Sequence, residues 1–280
     1  MIALQQLHFS YSNDKSKEGG KNEIFKGVTL ELAQPGIYGL LGANGVGKTT
    51  LLNLISGLLF PSHGKLLIDG KEVKERSSDT LAHLYYMPSQ TGLLSFKVGD
   101  YAKNLAPFYD GFNEDIWNDC LDTFGLDRGK KLMKLSEGNQ KKVFISFALA
   151  VGTDILLLDE PTNGLDIPSK KIFRKLLLKY TCEDQYVIIS THLVADVEKL
   201  LDHYLIIHHE GELFNASAQE ILDRYVFTTA LTEEGALYAE PCASGYKTIQ
   251  KNDGFPEENN NEIDIEMLFT AVTGGQIHEK

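Results

Sequence analysis

Residues 42–49 read Gly-Ala-Asn-Gly-Val-Gly-Lys-Thr, a glycine-rich loop that ends in a lysine and a threonine. A short apolar stretch at 36–41, predicted as a strand, precedes it, and an apolar run at 49–59, predicted as a helix, follows. Glycines allow backbone N–H groups to approach phosphate oxygens closely, and the following helix directs its positive end toward them. The loop therefore predicts a nucleoside triphosphate site.

Two side chains of this loop are expected to act on the phosphates and their metal. Lys48 can reach the β- and γ-phosphates, and the Thr49 hydroxyl can ligate Mg²⁺. The other loop residues predicted to bind nucleotide are Gly42, Asn44, Gly45, Gly47 and Thr50.

A pair of acids, Asp159 and Glu160, follows the apolar run Ile-Leu-Leu-Leu at 155–158. Ligands of open α/β sheets bind beyond the carboxyl ends of the strands, where these acids would lie. We expect Asp159 to hold Mg²⁺, directly or through water, and Glu160 to polarise the attacking water. The alternative is a pair that only caps a turn before Pro161.

Residues 135–140 read Leu-Ser-Glu-Gly-Asn-Gln, and Ser136 lies 23 residues before Asp159. Ser136 is predicted to be the N-cap of a helix, which leaves its hydroxyl and the amides near Gly138 at a positive helix end. A capped helix start is common, so a purely structural role is the alternative for this segment alone.

Taken together, the glycine loop, the Ser136–Gly138 segment and the acid pair resemble the ATP-binding cassette (ABC) ATPases, over roughly residues 1–225. In that family the Ser-x-Gly segment of one protomer closes over ATP held by another. The resemblance thus implies ATP and Mg²⁺ as cofactors and a second cassette, a copy or a close paralogue, as partner. It also assigns His192 to the γ-phosphate and the water, and Asp166 to a loop that crosses the pair's interface.

The sequence departs from the family's usual Leu-Ser-Gly-Gly-Gln, since Glu137 and Asn139 replace a glycine and a glutamine. A carboxylate at a helix N-terminus stabilises the helix but would repel a γ-phosphate. Either Glu137 faces away from the nucleotide or closure of the pair is weakened.

Two further residues resemble family positions less closely. Tyr11 resembles the aromatic residue that stacks on adenine, although a strand tyrosine without a ligand is the alternative. Gln90 lies one position after the place where the family often has glutamine, which Ser89 occupies here. Either Gln90 reaches Mg²⁺ and the water through a local bulge, or this contact is altered.

Strands and helices alternate along most of the chain, which favours an α/β fold with a largely parallel sheet covered on both faces. The resemblance implies a P-loop NTPase core with an antiparallel β subdomain. Strands are predicted at 2–9, 24–32, 36–41, 155–158, 186–190 and 204–208. Helices are predicted at 49–59, at 101–109, 114–124 and 137–151 in a helical insert of about 91–151, and at 169–180 and 194–201.

Residues 226–280 lie beyond the cassette and form an acidic C-terminal accessory segment. They hold ten acids and three lysines, a charge of −7 out of −12 for the chain. Residues 264–274 resemble the short terminal helix of ATPase subunits from bacterial exporters, with amphipathic spacing. A small folding appendage without separate activity is the alternative.

The composition excludes several classes of protein. A net charge of −12 argues against nucleic acid as a partner. No apolar run approaches 18 residues, and no signal peptide is visible. The three cysteines match no metal spacing and are expected to be reduced thiols of a cytosolic protein.

These features predict the ATP-hydrolysing subunit of an ABC transporter, cytoplasmic and peripheral on the inner face of the membrane, that drives a separate permease, with export favoured. The predicted docking surface is an apolar cluster formed by Leu93, Leu94, Phe96, Tyr101, Phe108 and Tyr109. A soluble ABC ATPase of cofactor assembly is the rival. DNA-repair members are disfavoured because only 88 residues separate Lys48 from Ser136. The single motif set disfavours translation-type members, and a small-molecule kinase would not use Ser136, Glu160 and His192.

Overall fold

Alternating strands and helices build the computed structural model, which describes residues 1–11, 23–90, 92, 95–208, 212–252, 254 and 262–277. The strands are β1 (Ile2–Ser10), β2 (Glu23–Leu32), β3 (Gly36–Leu41), β4 (His63–Ile68), β5 (Lys71–Glu72), β6 (Leu84–Met87), β7 (Ile155–Asp159), β8 (Tyr186–Thr191), β9 (His203–Ile207), β10 (Leu213–Ser217), β11 (Tyr225–Ala230), β12 (Tyr238–Cys242) and β13 (Gly245–Lys251). The helices are α1 (Lys48–Ile55), α2 (Ser78–Ala82), α3 (Val98–Leu105), α4 (Glu114–Thr123), α5 (Glu137–Ala150), α6 (Ile167–Tyr180), α7 (Ala218–Arg224) and α8 (Ile265–Thr273).

The central sheet has the strand order β10-β9-β3-β8-β7-β6. Its strands from β9 to β6 run parallel, and β10 pairs antiparallel with β9. The predicted, largely parallel sheet is confirmed. Because β3, β7 and β8 are neighbours, their carboxyl ends bring the phosphate loop, the acid pair and the segment of His192 to one edge.

The two faces of this sheet bury separate cores. In β3, Ile37 and Leu41 pack on the side of α5 and α6, whereas Tyr38 and Leu40 pack on the side of α1. This division follows from the two-residue period of a strand. The sheet is therefore buried on both faces, as its apolar strands require.

A second sheet, antiparallel with the order β2-β1-β4-β5, covers α1. Strand β1 is irregular, since its register with β2 shifts between Leu4 and Leu7, where Gln6 adopts φ 47°. Strands β4 to β6 were not among the predicted elements.

Helix α1 is shorter than the predicted span 49–59, since it ends at Ile55. Gly57 adopts φ 68°, and the Leu58 N–H donates to the Asn53 carbonyl. This bond and the left-handed glycine are the signature of a helix end. The apolar residues after Ile55 therefore do not extend the helix.

The helical insert contains α3, α4 and α5, which pack around the Phe147 ring. The centroids of the Tyr101 and Trp117 rings lie 5.3 and 6.2 Å from that of Phe147. The predicted helix at 101–109 instead begins at Val98 and ends at Leu105, followed by a 3₁₀ turn at Ala106–Phe108 that contains Pro107.

The helix predicted at 194–201 is wrong. Two 3₁₀ turns, Val194–Asp196 and Glu198–Leu200, occupy the segment. Val194, Val197 and Leu200 recur every third residue, which places them on one side of a structure with three residues per turn. Val197 and Leu200 are buried there.

The C-terminal region contains an antiparallel sheet of order β11-β13-β12, which the sequence reasoning missed, and the predicted helix as α8. Ile265, Leu268 and Val272 of α8 are buried in the same core as β9. Helix α8 also packs against the Val194–Asp196 turn.

Among the described residues, none of the helices combines the length and the hydropathy needed to cross a bilayer. Two further polar segments lie mostly outside the described residues: residues 12–23, which the sequence predicts as a hairpin or loop insertion, and residues 257–262, which it predicts as an exposed loop. Leu93 and Leu94 of the predicted docking surface also lie outside them.

Candidate nucleotide site

The phosphate loop joins β3 to α1 in the conformation that its glycines allow. Gly45 and Gly47 adopt φ values of 80° and 118°, a region that favours glycine. A Cβ on Gly42 would lie 2.6 Å from Val46 Cγ1. Asn44 is exposed in this loop. The loop thus forms an open backbone cradle at the start of α1, which suits an anionic ligand.

The ammonium of Lys48 points into this cradle. Its Nζ donates to the carbonyl oxygens of Gly42 and Ala43 at 2.7 and 3.1 Å, and the side chain is 7% exposed. Burial lowers the pKa of Lys48, while the carboxylates of Glu160 and Asp159 oppose that shift. The lysine is held by neutral carbonyls where a phosphate would supply a charged acceptor.

The fully buried Asp159 lies at the end of β7 beside Thr49. Thr49 Oγ1 donates to its Oδ2 at 2.9 Å, and Ser190 Oγ donates to its Oδ1 at 2.5 Å. A carboxylate and a hydroxyl oxygen side by side fit Mg²⁺, which in nucleotide sites takes few protein oxygens and completes its shell with phosphate and water. The residues present therefore fit the implied metal.

Glu160 follows in an unusual backbone conformation, with φ 47°. Such a conformation costs a non-glycine residue of order 1 kcal/mol and clusters at functional sites. The Glu160 Oε1 lies 2.9 Å from His192 Nδ1 and 3.9 Å from Lys48 Nζ, and its Oε2 is buried without a hydrogen-bond partner among the described residues. An acceptor left free in this way could take a proton from a water molecule.

The Ser136–Gly138 segment, called the signature segment below, begins α5, the signature helix. A buried lysine of this helix also reaches the turn of Glu160. Lys141 Nζ donates to the backbone carbonyl of Glu160 at 2.9 Å. Burial lowers the pKa of Lys141, and the carboxylates of Glu137, Glu160 and Asp159 oppose that shift. Lys141 belongs to none of the motifs identified in the sequence.

Ser136 is the N-cap of α5, as predicted, and its Oγ accepts from the Asn139 N–H at 3.4 Å. Among the described residues, the Ser136 hydroxyl has no bond to the phosphate loop of its own chain. Both Ser136 and Glu137 are exposed at the start of the helix. Ser136 is therefore free to meet a ligand that lies outside this chain.

The first turn of α5 packs against the loop at 163–166. A Cβ on Gly138 would lie 2.7 Å from the Gly164 carbonyl oxygen. We expect Gly138→Ala to displace the signature helix from this loop, to destabilise the fold by about 1–3 kcal/mol and to slow ATP turnover. Phosphate release and thermal unfolding measure both effects. Gly92→Ala is the matched control because its Cβ would meet nothing within 4 Å, and equal rates for the two variants would contradict the expectation.

The three remaining predicted site residues differ in their hydrogen bonds and exposure. Asp166 is the N-cap of α6, where the Ser169 N–H donates to its Oδ1 at 2.9 Å, and hydrogen bonds from Ser169 lower its pKa. The hydroxyls of Tyr11 and Thr50 lie 2.9 Å apart, and the Tyr11 ring is 63% exposed beside the phosphate loop. Gln90 is exposed in a bend after β6.

Sequence reasoning missed three residues around the acid pair. Ser190, one strand away, lies opposite Asp159 in the register of β7 and β8. The Tyr86 hydroxyl donates to Asp159 Oδ2 at 3.5 Å, and burial raises the Tyr86 pKa. Lys141 is the third. A polar residue after the apolar run of β8 was the signal available for Ser190. Lys141 lies beside Lys142 in the polar first half of α5, where its residue type gives no such signal.

The chain is similar to known proteins in sequence and in fold. A family model described as "ABC transporter" matches residues 25–163. The ABC transporter ATP-binding protein NatA of Bacillus subtilis (strain 168) is 32% identical over 204 residues, 70% of this chain and 82% of NatA. YtrB of the same organism, also named an ABC transporter ATP-binding protein, is 28% identical over 99% of both chains. A bacterial ABC transporter cassette, solved as a dimer, shares the fold, with a TM-score of 0.66 and 24% identity over 78% of this chain and 98% of its own.

Proposed function

This chain belongs to the ATP-binding cassette (ABC) transporter family, and we propose that it hydrolyses Mg-ATP and drives a separate membrane permease. The observation that carries the proposal is the convergence of the phosphate loop, Asp159, Glu160 and His192 at one edge of the central sheet. This convergence supports the proposal because the same edge would then supply binding groups for the phosphates and a base for water.

Hydrolysis would proceed by positioning and neutralisation of charge. When bound, Mg²⁺ would neutralise phosphate charge, held by Thr49 and Asp159. Lys48 would exchange its loop carbonyls for phosphate oxygens, and Glu160 would accept a proton from the attacking water. His192, at 2.9 Å from Glu160, would orient that carboxylate and the water.

The second half of the site would come from another cassette, a copy of this chain or a close paralogue. Ser136 is exposed at a helix N-terminus, and within the described part of the chain its hydroxyl is bonded only to its own helix, so it is available to a nucleotide across an interface. Ile167, next to Asp166, is 73% exposed, and Leu193, next to His192, is 39% exposed. Exposed apolar side chains beside site residues support a pairing surface there.

Adenine would stack on the Tyr11 ring. We expect Tyr11→Ala to raise the KM for ATP roughly fivefold to tenfold, which corresponds to the energy of one aromatic contact, without changing kcat. Tyr11→Phe keeps the ring and loses only the hydroxyl bond to Thr50, so its KM should stay near the wild-type value. Steady-state kinetics measure the KM of both variants. An unchanged KM in Tyr11→Ala would show that the tyrosine has a structural role only.

The permease would dock on the helical insert. Of the predicted cluster, Tyr101 is 4% exposed in the core, whereas Phe96 and Phe108 are 38% and 72% exposed. The Leu132 N–H donates to the Phe96 carbonyl, which brings the exposed Met133 near Phe96. Such a set of apolar side chains suits a helical cytoplasmic segment of a membrane protein. This docking would hold the chain at the inner face of the membrane, and we propose export as the direction.

Co-expression with the membrane protein of a neighbouring reading frame tests the proposal. We expect that protein to co-purify with the chain and to raise its Mg-ATP hydrolysis. The double variant Phe96→Ser/Phe108→Ser should lose co-purification but keep basal hydrolysis, whereas the control Leu231→Ser, at an 85% exposed position in the C-terminal region, should lose neither. If no neighbouring membrane protein co-purifies with the chain or raises its hydrolysis, the result would instead favour the soluble role in cofactor assembly.

A further inference from the structure

We propose that Lys141 is a positioning residue for Glu160 and that it couples the signature helix to the catalytic turn of the same chain. The inference rests on the proposed function of Glu160 as the base. The observation that supports it is the 2.9 Å hydrogen bond from Lys141 Nζ to the Glu160 carbonyl oxygen.

The Glu160 peptide is held from two sides. Its N–H donates to Ser190, with the carbonyl oxygen and Oγ both at 3.1 Å. Its carbonyl accepts from Lys141 and, at 3.3 Å, from the Asn163 N–H. Since φ 47° is unfavourable for a glutamate, these bonds must maintain it. Lys141 supplies the one side-chain donor to that carbonyl in the described part of the chain.

The placement of Lys141 is costly, which argues for a function. The side chain is 5% exposed, and the hydrogen bond that the structure gives its ammonium goes to a neutral carbonyl. No carboxylate oxygen of a described residue lies within 4 Å to form an ion pair with it. A buried cation without an ion pair destabilises a fold relative to an apolar residue of similar size. An apolar residue at this helix position would pack equally well if only packing mattered.

The position of Lys141 on α5 links the hydrogen bond to Glu160 with the segment that would meet the partner's nucleotide. Ser136, the group proposed to meet the nucleotide of the partner, starts the same helix five residues before Lys141. Gly138, between them, packs against Gly164. A shift of α5 as Ser136 engages nucleotide would therefore move Lys141 and with it the Glu160 carbonyl. Hydrolysis in one site would then depend on how the same chain's signature segment is seated in the other.

Replacement of the lysine by an apolar side chain tests the inference. We expect Lys141→Met to lower kcat on the order of 10- to 100-fold, as misplacement of a catalytic group does, while the affinity for ATP and the KM stay near wild type. Lys141→Arg, which keeps a cationic donor, should recover most of the rate. Lys171→Met is the control, because Lys171 is exposed on α6. Lys141→Leu is made in parallel so that a folded apolar variant is available.

A second readout separates positioning from packing. In a Glu160→Gln background the base is already gone, so Lys141→Met should lower the residual rate by less than about twofold. Full turnover by the apolar variants would overturn the inference, as would an equally large further loss in the Glu160→Gln background. Failure of the proposed function looks different, because the wild-type chain would then release no phosphate from Mg-ATP.

Discussion

Glu160→Gln should lower ATP turnover at least about 100-fold, the usual contribution of a positioned general base. Glutamine has nearly the shape of glutamate, so the packing at the end of β7 should be kept, but an amide cannot accept the proton of water. In the wild type Glu160 Oε2 is buried with no hydrogen-bond partner in the part of the chain that the structure describes, and Oε1 lies 2.9 Å from His192 Nδ1. The substitution therefore removes the proton acceptor and leaves the nucleotide-binding groups intact.

Because ATP should bind to this variant but not react, paired cassettes should accumulate. Sedimentation with Mg-ATP should show a species of twice the chain mass of 31.2 kDa, and phosphate release should be nearly abolished. Glu183→Gln, at an exposed position away from the site, is the control and should behave as wild type. Full turnover by Glu160→Gln would show that another group acts as the base.

Lys48→Met should weaken ATP binding about 10- to 100-fold, because charge-assisted hydrogen bonds contribute about 1.5–3 kcal/mol each. Methionine keeps an unbranched stem of similar length in the 7% exposed site but cannot donate to phosphate. Titration with a fluorescent ATP analogue measures the affinity.

The stability of this variant is a separate expectation. Burial lowers the pKa of Lys48 and thus opposes its charge, so removal of the ammonium should leave the melting temperature unchanged or raise it. Lys171→Met again provides the surface control. An unchanged affinity in Lys48→Met would contradict the placement of the phosphates in the loop, and a large loss of stability would show that the lysine is structural.

Features that depend on local order could be predicted from the sequence. The phosphate loop and the acid pair each follow an apolar strand, and parallel strands bring their carboxyl ends together. The sequence alone therefore predicts that Lys48 and Asp159 lie at one edge of the sheet. Ser136 could be predicted as a cap because its residue type and position suffice. The roles of these residues in catalysis and pairing stay predictions.

Features that depend on contacts between distant segments could not be predicted. The bond from Lys141 to Glu160 joins a helix of the insert to a turn after β7. Lys141 and Lys142 are adjacent in the polar first half of α5, and the sequence does not reveal which of them is buried or what it contacts. Ser190 acquires its role only from the register between β7 and β8. The strands β11 to β13 were missed because their polar, half-buried residues lack a clear two-residue alternation.

The central claim, an ATP site shared between the lysine of one copy and the serine of another, is tested most directly with mixed pairs. Two tagged versions of the chain are co-purified with Lys48→Met and Ser136→Arg placed either on different copies or on the same copy. If each site takes Lys48 and Ser136 from different copies, the split arrangement concentrates both defects in one site and keeps hydrolysis in the other. The same-copy arrangement then damages both sites and abolishes hydrolysis. Hydrolysis retained by the same-copy pair and lost by the split pair would contradict the account.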